Sequence, residues 1–423
     1  MKYQVAFFYI YIFTIFFLFF FGFYINENSA GAGGYNGDLP YIWNNQNTFN
    51  NFSLKEAIEF TADYDPKHYQ SSKMPLSYIL NKYLNPLANN IENFRTSVFI
   101  LSCIIPFIFF FSLKNKFKKN NNLEIILLSF FLFLSPYFRT SAYWGLEENY
   151  GILFLLISAY FYIKTENFEI ECKKEQIFFL TLFSSACVYL DQKLVIVPII
   201  CYCNILFSKN SFKIKFLATF FYFIFSLPCF YLFYRWGNVL PVVDATNREI
   251  GKLHIENIAY TITIIAFYFF PLIFFKTKIK NLYLTIKSKH NLIILILFLF
   301  YLIVTFLIID TELSKLGGGF ATKFSYLLFQ DIISQKITFI IIALSSLLII
   351  LIFLEKNLND TLIVIFFTLI SLFIFPIYQE YFDPLIILLV FLFFKIKLQL
   401  NLKNVNILII YYLCLLSINN IYY

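Results

Sequence analysis

The chain has 423 residues, 60% of them apolar and only 14% charged, with a formal net charge of +8. So little charge cannot cover a soluble domain of this size, which excludes a soluble enzyme held by one anchor. The 59 Phe and 31 Tyr accompany many Ile, Asn and Lys, the composition of an AT-rich genome. The aromatic excess is therefore read as codon bias and not as a stacking platform, and Asn120 to Asn122 as neutral filler.

About thirteen apolar runs approach or exceed the ~20 residues that cross a bilayer as a helix. They lie near 4–25, 96–113, 123–138, 149–163, 176–190, 194–207, 216–234, 258–275, 291–309, 337–354, 361–377, 384–394 and 405–418. Lipid offers the backbone no hydrogen-bond partner, so such runs must be helices. The expectation is an all-α polytopic membrane protein with about 11–13 transmembrane helices, residues 1–423 forming one membrane domain. The first run outlasts the ~7–15-residue core of a signal peptide and is read as a retained helix. The run 384–394 is short enough to be re-entrant.

With a cytoplasmic N-terminus, 20 of the 33 basic residues fall in short cytoplasmic loops and 18 of the 25 acidic ones on the other side. This is the positive-inside bias. The net charge then faces anionic headgroups, and no nucleic-acid partner is implied. A bacterial inner membrane is expected from the composition, or the endoplasmic reticulum in a eukaryote.

The outer loops are longer and chemically richer. The first, residues 26–95, opens with a flexible glycine stretch from Gly31 to Gly34 and is expected to carry short helices. Ser53-Leu54-Lys55-Glu56 reads as a capping box. After Pro75, the residues Leu76, Ile79, Leu80, Tyr83, Leu84 and Leu87 form one apolar stripe, predicting a helix in the membrane interface.

Candidate chemistry begins at Asp38, in Asn36-Gly37-Asp38-Leu39-Pro40. It is either a solvated turn or a general base for a hydroxyl. Tyr64-Asp65-Pro66-Lys67-His68 mixes both charge signs before a Pro-started helix, which a solvated loop also explains. Arg139 with Glu147 and Glu148, beside Tyr143 and Trp144, either marks a span end or binds a hydroxylated ligand. Asp191-Gln192-Lys193 is a tight turn between spans. Arg248 and His254 lie in the loop after Trp236, and Glu380 in the outer turn from Tyr378 to Pro384. The seven cysteines show no zinc spacing and are read as packing residues rather than disulfide partners. Gly317-Gly318-Gly319 lacks the Lys-Ser/Thr of a phosphate loop, so neither a nucleotide cofactor nor a metal is expected.

Taken in order, these pieces resemble the GT-C polyprenyl-phosphate-sugar glycosyltransferases, most of all the dolichyl-phosphoglucose α-1,2-glucosyltransferase family. Asp38 with Pro40 and Trp43 stands where that family has its acidic motif after the first span. Tyr64-Asp65-Pro66-Lys67 followed by Ser71-Ser72-Lys73-Met74-Pro75-Leu76-Ser77-Tyr78 is similar to its aromatic-Asp-Pro-Lys run and Thr-Thr-Pro-Pro-Gly-Leu-Tyr motif. Phe94-Arg95, Asp191-Gln192-Lys193, Leu253-His254 and Tyr381-Phe382-Asp383-Pro384 echo its later motifs. This chain departs from the family by a missing second carboxylate beside Asp38, a single Pro75, Asp191 in place of an Arg, and no Arg in the last motif. Which sugar and acceptor are involved therefore stays open.

The resemblance implies a GT-C-like fold, with residues 26–95 as a catalytic loop on the non-cytoplasmic face. It implies transfer of a hexose, with inversion, from a polyprenyl-phosphate donor to a glycan or lipid-linked acceptor. Asp38 would be the base. Asp65, Lys67, His68, Arg139, Glu147, Glu148, Gln192, Lys193, Arg248, His254 and Glu380 would bind substrate, with Arg139, Lys193 or Arg248 facing the leaving phosphate. A flippase or transporter of lipid-linked sugars, or a non-catalytic membrane subunit, remains open beside it.

Overall fold

The computed structural model describes residues 2–30, 33–62, 67–71, 73–166, 173–241, 252–276, 288–355 and 357–422. Among them the only strand-like feature is a single antiparallel bridge between Lys276 and Leu398; the rest of the regular structure is helical. Among the described residues six helices are long and apolar enough to cross a membrane: Ile91–Lys116, Phe212–Trp236, Asn257–Phe275, Lys289–Ile308, Ile332–Leu354 and Leu402–Tyr422. A seventh span is possible if Asn122–Leu134 and Pro136–Trp144, bent by 64°, count as one. The chain is thus a helical, membrane-type protein.

Among the described residues fewer helices than the 11–13 expected reach spanning length, and three of the runs are shortened by a local cause. The run near 123–138 breaks at Ser135-Pro136, where the Ser135 hydroxyl caps a new helix whose first residue is proline. The run after Asp191 starts as a tight turn of 3-10 helix and leaves only 12 α-helical residues, Ile196–Phe207. The run near 384–394 is an eight-residue helix, Leu385–Leu392, with every residue buried. At ~1.5 Å per residue such a helix cannot cross a ~30 Å hydrocarbon layer. It is a core segment rather than a lipid-facing one.

The chain forms two compact units, residues 1–247 with 409–423 and residues 248–408. Unit one contains α1 (Lys2–Tyr24), α2 (Asp38–Asn51), α3 (Leu54–Phe60), α4 (Leu76–Leu84), α5 (Ile91–Lys116), α6 (Asn122–Ser129), α7 (Pro136–Trp144), α8 (Glu148–Glu166), α9 (Lys174–Leu190), α10 (Ile196–Phe207) and α11 (Phe212–Trp236). α5 shows why these residues are helical. Asn90 caps its first turn, Glu92 sits at the positive end of the helix dipole, and Lys114 and Lys116 sit at the negative end. Aromatic packing ties α1 to α5 and to the segment before α7: Phe19 lies 4.4 Å from Phe133 and Phe23 lies 4.1 Å from Phe99, ring centre to ring centre. α2 was not foreseen in the sequence. Its buried Leu39, Ile42 and Phe49 fall at helical spacing, but its many Asn and Gln mask the stripe.

The capping box forms as expected, with Ser53 and Glu56 exchanging hydrogen bonds at the start of α3. The helix after Pro75 also forms, as α4. Its orientation is the finding. Ser77, Tyr78 and Asn81 face inward and are buried, whereas Tyr83, Leu84 and Leu87 of the apolar stripe are exposed.

In unit two the central element is α12 (Asn257–Leu272), followed by α13 (Lys289–Ile303), α14 (Gly319–Leu328), α15 (Ile332–Leu354), α16 (Leu358–Ser371) and α17 (Leu385–Leu392). The last helix, α18 (Leu402–Tyr422), has residues in both units. The buried carboxylate of Asp360 accepts the backbone N–H groups of Lys395 and Ile396 and so fixes the exit from α17. The Gly317–Gly319 run is a tight turn. Gly318 and Gly319 have positive φ, and a side chain on Gly317 would meet the Ile377 carbonyl.

Candidate functional site

Asp38 is the first residue of α2 and is half-buried. Its carboxylate accepts the backbone N–H of Gly34 at 3.3 Å, closing a turn over residues 34–38. That turn is tight, where the sequence suggested flexibility. A Cβ on Gly37 would stand 2.6 Å from the Gly33 Cα, and Gly34 has φ of +61°. Backbone can approach backbone this closely only without side chains. Gly31 and Ala32 lie outside the described residues. Burial pushes the Asp38 carboxyl above its ordinary value; the Gly34 N–H opposes this, the negative charge of Glu148 adds to it, and Lys73 opposes it.

Lys73 is the hub of a half-buried charge cluster. Its ammonium contacts Glu148 closely and lies 3.7 Å from Glu147. Glu147 accepts a hydrogen bond from Ser71 at 3.2 Å and a short one from the Tyr78 phenol, while Glu148 accepts from Ser141 at 3.4 Å. Burial pulls the Lys73 ammonium's pKa down, but Glu148, Glu147 and Asp191 outweigh it and hold it well above its usual range. Burial pushes Glu147 up, with Lys73 opposing. Burial also pushes on Glu148, yet Lys73 and Lys193 overcome it and bring that carboxyl down to about 2. Two adjacent glutamates in one pocket thus face opposite electrostatic biases.

The backbone explains why these residues meet. The inward polar face of α4 carries Tyr78 to Glu147, and Asn45 of α2 donates to the Tyr78 phenol at 3.2 Å. The segment before α4 is laid along α2: Asn44 donates to the Lys67 carbonyl, Thr48 to the His68 carbonyl, and the Gln70 N–H to Asn45. Gly151 of α8 lets the Asp191–Leu194 turn pack closely, since a Cβ there would stand 2.8 Å from Leu194 and 3.2 Å from the Asp191 side chain. Lys193 pairs with Asp191 at 3.1 Å in that turn.

Of the residues singled out in the sequence, Asp38, Glu147, Glu148 and Lys193 belong to this neighbourhood, with Gln192 beside Lys193 in its turn. His68 is wedged between rings, 4.3 Å from Phe60 in a stacked pair and 5.5 Å edge-on to Phe52. Lys67 is held through its backbone next to it. Arg139 has a different part from the expected one. Its guanidinium is buried, paired with Glu27, and donates to the Phe133 and Leu18 carbonyls at 2.8 and 3.0 Å, bolting α7 to α1. That leaves it poorly placed to meet a leaving phosphate. His254 and Glu380 lie in unit two. There His254 pairs with Glu256 at 3.1 Å and stacks on Phe375 at 4.6 Å. Asp65 and Arg248 fall outside the described residues.

Lys73, Ser71, Tyr78 and Asp191 were not among the expected site residues. The available signal was Lys73 itself, a cation directly before the Met-Pro that starts an apolar helix, where a purely structural segment has no use for one. Among the described residues no group of three or more His, Cys, Asp or Glu side chains is arranged to hold a metal, and the six described cysteines are free thiols. Chemically, the arrangement offers a carboxylate of raised proton affinity beside a half-buried, ionised Lys–Glu pair. Comparison with protein-family models, with curated proteins and with solved structures finds no match.

Proposed function

We propose that the chain is a membrane glycosyltransferase of the GT-C type. It moves a hexose from a polyprenyl-phosphate donor to a glycan or lipid-linked acceptor at the non-cytoplasmic face, with inversion. The observation that carries this reading is Asp38, a half-buried carboxylate of raised pKa held at a helix start and within electrostatic reach of Lys73 and Glu148. A base works best when its pKa is drawn toward the working pH.

In the reaction the acceptor hydroxyl gives its proton to an Asp38 oxygen as its own oxygen attacks the anomeric carbon. The bond from that carbon to the phosphate oxygen breaks, and the electron pair leaves with the lipid phosphate. Lys193, a fifth exposed, paired with Asp191 and within electrostatic reach of Glu148, is a cation that could turn toward that anion, with Lys73 in the same cluster. The cluster's glutamates suit sugar hydroxyls, which donate to carboxylates.

Asp38→Asn keeps the shape and removes the base. In reconstituted membranes supplied with a polyprenyl-phosphate hexose and an acceptor extract, transfer should fall by about 10²–10⁴-fold, the usual share of a general base, while the melting temperature holds. Undiminished transfer removes Asp38 from the mechanism. Donor crossing the bilayer without any transfer by the wild type replaces the enzyme with a transporter.

A further inference from the structure

A cavity of about 280 Å³ lies among α9, α10 and α11, lined by Val188, Pro198, Ile199, Phe225 and Cys229 with three tyrosines and two serines. It is far larger than the ~30 Å³ share of one water molecule and sits just under the ~300–1,000 Å³ of sites that enclose a whole small ligand. Most of its polar groups are already engaged. The Tyr189 phenol donates to the Phe225 carbonyl and accepts the Cys229 N–H; Tyr222 pairs with Ser184, Tyr202 with Thr219, and Ser226 donates to the Phe223 carbonyl. A water cluster would therefore find few partners there, whereas an apolar occupant leaves the engaged groups paired.

The shape of α11 makes the space. Pro228 removes one helical N–H, and one residue later the Tyr189 hydroxyl stands between the Cys229 N–H and the Phe225 carbonyl. A side chain inserted into the i→i−4 ladder is a standard cause of a local opening of the helix. α11 is also the candidate span least covered by protein, with Phe220, Phe223, Leu227 and Phe230 exposed, so hydrocarbon surrounds the cavity if α11 crosses the bilayer. An empty apolar void would forfeit dispersion contacts along its whole lining.

We propose that this cavity is a binding site for one aliphatic chain of a membrane lipid. The site is too small for a headgroup and offers it nothing polar. Its inner wall, Tyr189 and Cys229, packs on the Met74–Leu232–Trp236 cluster, and Met74 adjoins Lys73. A chain seated here lies one residue layer from the charge cluster. The inference concerns binding alone and stands whether or not the chain transfers sugar.

The test uses the full-length protein in nanodiscs with two photoreactive probes, a diazirine-tailed phosphatidylcholine and a diazirine-tailed polyprenyl phosphate, with adducts mapped by peptide mass spectrometry. The expected result is labelling of residues 185–202 and 222–229 by at least one probe, and which probe labels identifies the source of the chain. Ile199→Trp and Ser226→Trp, on opposite walls, should each abolish that labelling while leaving adducts on the exposed face of α11. In detergent, added lipid should raise the melting temperature of the wild type and not of the filled variants. If neither probe labels these segments, or if the filled variants label like the wild type, the proposal is overturned.

Discussion

Asp38 and Glu148 show how single residues set the chemistry. Glu148 is held ionised by Lys73 and Lys193, and its charge raises the proton affinity of Asp38. Glu148→Gln removes that charge and leaves Lys73 to act on Asp38 with one fewer counter-ion. Both changes favour the carboxylate form of Asp38, so its pKa falls. As a base it works deprotonated, so the acidic limb of the transfer rate should move to lower pH in Glu148→Gln; a pH–rate profile of kcat/KM reads this directly. A limb that moved upward or stayed would separate the two groups. Asp38 itself was legible in the sequence from its glycine-flanked position after the first span. Lys73 was not, because its importance comes from two glutamates about 75 residues away that only the fold delivers.

Among the elements, α2 and the turn before it matter most. Gly33 and Gly37 touch backbone to backbone, and Asp38 follows at once as the first helical residue. Gly37→Ala would press a methyl group into the Gly33 backbone. Overpacking of this kind costs about 1–3 kcal/mol, so the melting temperature should drop, and transfer should fall because Asp38 is displaced. Calorimetry and the transfer assay on the same sample check both parts; a variant as stable and active as the wild type would mean the turn is loose. The sequence made the capping box of α3 and the start of α4 legible, because local hydrogen bonds and proline write both. It hid the face of α4 that turns inward. There a polar face, Ser77, Tyr78 and Asn81, turns inward and Tyr78 meets a buried glutamate, and the apolar period says nothing of that opposite face. α2 went unread for the converse reason, its buried Asn45 and Gln46 interrupting the stripe with side chains that hydrogen-bond inside the fold.

For the whole molecule, composition told the class and little more. Apolar run length identified a helical membrane protein, but it does not register breaks such as Ser135-Pro136 or an all-buried helix such as α17. It also carried no sign that the chain divides near residue 248. The side of the membrane that bears Asp38 is the prediction belonging to this scale. Asn36 is exposed two residues before it, so Asn36→Cys should gain a membrane-impermeant maleimide adduct in intact spheroplasts. Labelling only after the membrane is opened would put the carboxylate on the cytosolic side and end the proposed reaction.

The Arg139–Glu27 pair bears on how such a protein comes to be in a membrane at all. Arg139 is buried and Glu27 largely so, and the guanidinium also reaches the Leu18 carbonyl, inside α1. An arginine facing hydrocarbon alone costs at least ~2.5–3.5 kcal/mol, and separating a buried pair costs about 3–5 kcal/mol. Biogenesis therefore favours a route in which the first helix waits beside the translocon until the segment bearing Arg139, more than a hundred residues later, emerges from the ribosome to join it.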